Sequence, residues 1–201
     1  YFLGGGRDEL KRIKRVKMRP EQRIFIRLVV FVCFLAISCG IRETLLAAEN
    51  RVLIADGKIS LIIPDGWAKT ELNAADVLAG YATQDNRNSV FFRAMDTSST
   101  GGMQELLDAT VANYEATFKV KDVSKAKTGQ VEGPDRKWPG IFTTVEATVV
   151  KGEASFEMKF YLFVFDTGSN LYLMQASTTL PVREAREQQI FELMRSIVAR
   201  P

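Results

Sequence analysis

Residues Ala154 to Phe165 read ASFEMKFYLFVF, and the fold follows from how these apolar residues alternate. Phe156, Met158, Phe160, Leu162 and Val164 fall on one side of an extended chain. In the far half Tyr161, Phe163 and Phe165 fall on the other, so this strand needs apolar cover on both faces of its sheet. Working outward, Lys151-Gly152-Glu153 and Thr167-Gly168-Ser169-Asn170 read as hairpin turns. They join the strand antiparallel to a β-branched partner, Ile141 to Val150, and to Leu171 to Thr178. Val123 to Val131 reads as a polar strand near an edge.

Two helices are expected to supply the cover. Met103 to Phe118 repeats Leu106, Leu107, Val111, Tyr114 and Phe118 at helical spacing. A second helix is expected from near Pro181 to about Ala199, burying Ile190, Phe191, Met194, Ile197 and Val198. On it, Arg183 with Glu187 and Arg186 with Gln189 read as helix-surface pairs.

Toward the start, Arg51 to Ala55 and Lys58 to Ile63 form a hairpin about Asp56-Gly57, and Pro64-Asp65-Gly66 turns the chain into Trp67. Asn73 is expected to cap a short helical turn through Leu78, stopped by Gly80. Tyr81 to Thr83 and Ser89 to Met95 pair around Asp85-Asn86-Arg87-Asn88. The result is one α+β domain spanning 51–199, with no internal repeat.

Ahead of it lies a different kind of sequence. Arg19, Arg23 and Arg27 precede the apolar run LVVFVCFLAIS, Leu28 to Ser38, the pattern of a secretory signal over 18–38. That run is shorter than the roughly 20 apolar residues a spanning helix needs. Residues 1–17 read as an upstream or non-native extension before Met18, with a basic tail before an uncleaved anchor as the alternative. Two cleavage points compete. Leu35-Ala36-Ile37-Ser38-Cys39 has the form of a lipobox, making Cys39 the lipid-attachment residue, followed by a tether over 39–50. The other is ordinary cleavage near Leu46-Ala47-Ala48. The first gives a protein anchored on the periplasmic face of a bacterial membrane, the second a soluble exported one.

Charge divides the chain at the same place. Residues 1–27 carry nine Lys or Arg against three Asp or Glu, a balance of +6, and residues 40–201 carry eighteen against twenty-one, a balance of −3. The domain is mildly acidic and has no basic stripe for a phosphate backbone, so nucleic acid is not an expected partner. Cys33 and Cys39 are its two cysteines, both ahead of the domain, so no disulfide is expected within it.

Histidine is absent from all 201 residues. That removes Ser-His-Asp and Cys-His catalysis and His-ligated metals. A carboxylate-only site, as in glycosidases, is still open in principle, with Asp56, Asp65, Asp96 and Asp166 as the obvious loop acids. Each stands beside Gly or Thr in turn-like sequence, which favours a backbone role. No catalytic residue, metal or cofactor is therefore assigned. The candidate interaction surface is the loop Gly133 to Gly140, where Trp138 follows Arg136 and Lys137. An exposed indole there would suit a protein or membrane contact; otherwise it folds back over the core edge, as Trp67 is expected to do.

The order ADGKISLIIPDGW, a central helix, a glycine-turned meander, then LYLMQASTTLPVREAREQQIFELMRSIV resembles the DcrB-type bacterial envelope proteins. These fall in a wider group with the PsbP extrinsic protein of photosystem II and a yeast Ran-binding nuclear-transport factor. The resemblance covers roughly Arg51 to Val198. It implies an α/β/α sandwich about a central antiparallel sheet, export, lipid anchoring in many members, and no catalytic site. The expected function is thus a non-catalytic envelope protein, lipid-anchored through Cys39, acting on an envelope protein or a membrane. A soluble periplasmic module binding a small molecule between sheet and helix is the alternative, and a photosystem-type extrinsic role is a further branch.

Overall fold

The computed structural model describes residues 50–70, 77–97 and 101–201. The long strand is there as β9, Ala154–Asp166, flanked by β8, Lys137–Lys151, and β10, Asn170–Thr179. Before them come β1 (Arg51–Ile54), β2 (Ile59–Ile62), β3 (Trp67–Lys69), β4 (Val77–Thr83), β5 (Asn88–Asp96), helix α1 (Met103–Thr117), β6 (Lys119–Val123) and β7 (Lys127–Glu132). After them come helix α2 (Glu184–Arg195) and β11 (Val198–Ala199). Among the described residues one sheet forms, in the order β1-β2-β11-β7-β8-β9-β10-β5-β4-β3, with β6 also on β8.

Both faces of β9 are covered, and by different helices. Phe160, Leu162 and Val164 pack with Leu106, Leu107 and Tyr114 of α1. Tyr161, Phe163 and Phe165 pack with Ile190 and Leu193 of α2, Trp67, Trp138 and the β1–β2 hairpin. Because neighbouring residues of a strand point to opposite faces, the two clusters are two separate cores and the helices lie on opposite sides. The class is α+β, with a helix on each face of the sheet.

Four expectations are corrected. The sheet is mixed: β11 runs parallel to β7, because it enters after α2 has crossed a face instead of through a hairpin. The segment Val123 to Val131 is two strands. At the break, Thr144 N–H donates to Ser124 Oγ at 2.9 Å and Thr143 Oγ1 donates to the Ser124 carbonyl at 2.6 Å, so side chains replace a rung of the ladder. Leu78 and Gly80 lie in β4, Gly80 pairing with Phe91 of β5 and Leu78 at a bulge between Val77 and Ala79; Asn73 lies outside the described residues. Helix α2 begins at Glu184 and stops at Arg195, where Ser196 Oγ donates to the Leu193 carbonyl at 2.7 Å and accepts Ile62 N–H at 2.8 Å. Val198 is consequently a strand residue.

Candidate functional site: a cleft beside helix α1

Helix α1 turns Leu106, Leu107 and Tyr114 into the core and leaves Asp108, Ala112 and Glu115 outside. Gly102, at φ 106, brings the chain into the helix through a left-handed backbone that other residues rarely adopt. Where β6 gives way to β7 at Ser124, the sheet edge draws back from this helix. The gap is a cleft of about 370 Å³. Leu107, Val111, Ala112, Val123 and Ala126 give it apolar walls, with Gln104, Asp108, Glu115 and Ser124 polar at the rim. Gln104 Nε2 donates to Asp108 Oδ1 at 2.8 Å.

Asp108 and Glu115 are seven residues apart, about 10 Å along the helix axis at 1.5 Å per residue. The arrangement suits holding an apolar body by its flanks. A second, smaller depression of about 270 Å³ lies between the β1–β2 hairpin and β3–β4, lined in part by Val52, Asp65, Trp67 and Tyr81.

The four loop acids do not converge. Asp56 sits at φ 53 in the β1–β2 turn. Asp65 accepts Asn50 Nδ2 at 2.7 Å, and Asp166 Oδ1 accepts Gly168 N–H at 2.7 Å. Asp96 closes β5. No group of three or more acidic or cysteine side chains that could hold a metal occurs among the described residues.

Trp138 is placed otherwise than an exposed contact requires. β8 begins at Lys137, so the indole is in a strand and 4% exposed, and its Nε1–H donates to the Ala199 carbonyl at 3.0 Å. Arg136 lies over the ring at 3.7 Å, and Lys137 pairs with Glu132 at 2.6 Å. The three residues cluster, but as a clamp on β11 with Arg136 as its lid; the exposed-indole reading gives way to the folded-back one. Trp67 is buried too, donating to Gln189 Oε1 at 3.2 Å. Cys39 lies outside the described residues.

The polar residues of α2 take partners on the sheet in place of the expected helix-surface pairs. Glu187 accepts Tyr161 Oη–H at 2.7 Å and Lys159 Nζ at 3.4 Å. Arg186 reaches Asp85 at 3.1 Å and Thr179 Oγ1 at 3.3 Å. Buried Asn88 accepts Thr178 Oγ1–H at 2.7 Å and donates to the Arg186 carbonyl at 3.2 Å. Burial, then the Glu187 carboxylate, drives the Tyr161 phenol well above its ordinary pKa. These groups fasten α2 to the sheet, and only the strand register shows which partners they take.

No protein-family model and no curated protein matches the chain. Solved structures do, and they define the fold as PsbP-like. Similar are the cyanobacterial PsbP protein CyanoP of Synechocystis, at 13% identity over 75% of this chain and 91% of that one, TM-score 0.50, and a point mutant of the protein Mog1, at 12% over 73% and 93%, TM-score 0.50. The Ran-binding protein Mog1p of Saccharomyces cerevisiae matches at 12% over 73% and 93%, TM-score 0.48. At these identities the likeness is one of fold alone.

Proposed function

We propose that this chain is a DcrB-type envelope protein, exported from a bacterial cytoplasm, lipidated at Cys39 and acting without catalysis through protein or membrane contacts. The observation that carries the reading is the union of an export leader with a PsbP-like domain of the order the DcrB resemblance implies. The chemistry of the domain supports it: Asp65 and Asp166 sit in turns and Asp85 in an ion pair with Arg186. The photosystem-type and hydrolase branches have no such support.

The intact mass of the mature protein, expressed from Met18 in a bacterium with a full export pathway, tests it. A chain beginning at Cys39 with diacylglyceryl and acyl groups is expected. A cytoplasmic protein with its leader intact would overturn the reading. A lipid-free chain beginning near Glu49 would favour the second reading, a soluble module holding a small apolar ligand in the α1 cleft. Thermal stabilisation by an envelope lipid or metabolite is its signature.

A further inference from the structure

The hairpin between β8 and β9 outruns the rest of the sheet. β10 leaves β9 at the pair Thr179–Met158, and β6 leaves β8 at Lys119–Thr148. The pairs Val149–Phe156, Val150–Ser155 and Lys151–Ala154 therefore continue with no flanking strand among the described residues. Three pairs project about 10 Å at roughly 3.4 Å each. On this ribbon Val150 is 69% exposed and Phe156 46%. Phe156 lies on the α1 side with Val149, and Val150 points the opposite way beside Ser155, so apolar side chains stand on both sides, with Lys151 and Glu153 exposed at the turn.

A flat protein surface covers one side of a ribbon; a fluid covers both. The neighbouring edge adds charge. Lys119 and Lys121 are exposed on β6 beside the base of the ribbon, Lys119 opposite Thr148, while Lys125 and Lys127 lie farther along β8, Lys127 opposite Phe142. Lys121 pairs with Glu157, which ties this edge to the base of the hairpin.

We infer that the β8–β9 tip enters the interfacial layer of an anionic lipid membrane, with Lys119 and Lys121 at the base of the ribbon against its headgroups. The projection matches the 5–10 Å depth of interfacial insertion, roughly. The inference deepens the contact reading above, on which it rests, by naming the lipid surface as what the domain touches.

Phe156→Trp places a reporter at the tip, while Trp67 and Trp138 stay buried at 8% and 4% exposure. The full chain is bound to vesicles of phosphatidylglycerol and brominated phosphatidylcholine. The added indole emission is expected to shift to the blue and be quenched by the bromines. Lys119→Glu with Lys121→Glu, or high salt, which shortens screening below the roughly 10 Å found at 0.1 M, should restore the aqueous spectrum. An unquenched, water-like spectrum on anionic vesicles that still carry the protein would overturn the inference and assign the tip to a protein partner. Cytoplasmic retention with an intact leader would sink the export reading instead and leave this spectrum unchanged.

Discussion

Tyr161 and Glu187 join the strand at the centre of the sheet to helix α2, the phenol donating to Oε1 at 2.7 Å. The tyrosine side chain is fully buried, and its ring also meets Phe191 edge-on at 5.7 Å. Tyr161→Phe keeps the ring contacts and deletes one bond to a charged acceptor. It should cost about 1.5 to 3 kcal/mol in urea unfolding. A change below a few tenths would mean that Lys159 alone satisfies Glu187.

Alkali should unfold the domain through its tyrosines. Burial pushes the Tyr114 phenol up to about 12, partly offset by the bond from Gln175 and the charge of Arg93. Tyr81 and Tyr172 are raised too, chiefly by burial. Above pH 10 the unfolded chain loses these protons first, so the folded state holds more protons and stability falls as pH rises. The contribution is complete below the ordinary tyrosine value and lost on passing through the folded one, worth about 2 to 3 kcal/mol for Tyr114. Denaturant midpoints across that range should decline, and Tyr114→Phe should flatten the decline.

Acid should act through two exposed carboxylates. Asp85 is held below its ordinary value by hydrogen bonds from Thr83 and the Arg87 backbone, then by Arg186 and Arg87. Glu157 is lowered by bonds from Lys121 and Thr148. Both contribute stability above their ordinary values that is lost as pH falls through the lowered ones. Asp85→Asn with Glu157→Gln should make the unfolding midpoint less sensitive to acid below about pH 4; an unchanged acid limb would assign it to other groups.

A glycine pair seats Phe163. Gly129 and Gly140 face each other across β7 and β8, and a Cβ on Gly140 would stand 2.7 Å from the Phe163 ring and 3.1 Å from the Val164 carbonyl. Gly140→Ala should therefore destabilise by about 1 to 3 kcal/mol, the usual range for overpacking. Phe163→Leu in the same chain should recover part of the loss if the ring is the obstacle.

The meander and both helical faces were legible because they depend on local period. Alternation from Phe156 to Phe165 predicts two covered faces, and two cores form there. What escaped was decided by residues distant in sequence. Ser124 splits one polar segment into two strands by bonding Thr143 and Thr144, nineteen and twenty positions away, beside the α1 cleft that it lines. Arg186 and Glu187 have plausible partners on their own helix but take Asp85 and Tyr161 from the sheet. For Trp138 the flanking Pro and Gly leave an exposed and a folded-back indole both open, and the Ala199 carbonyl, sixty-one residues away, decides for the second.

β11 is two residues long and stands between β2 and β7. It binds the β1–β2 hairpin on one side, with Arg200 N–H donating to the Lys58 carbonyl at 2.7 Å, and takes the Trp138 indole bond on Ala199. The hairpin at the start of the described residues is thus sewn to the sheet by the last strand among them. Until Val198 and Ala199 are in place, that hairpin has no neighbouring strand in the sheet to join.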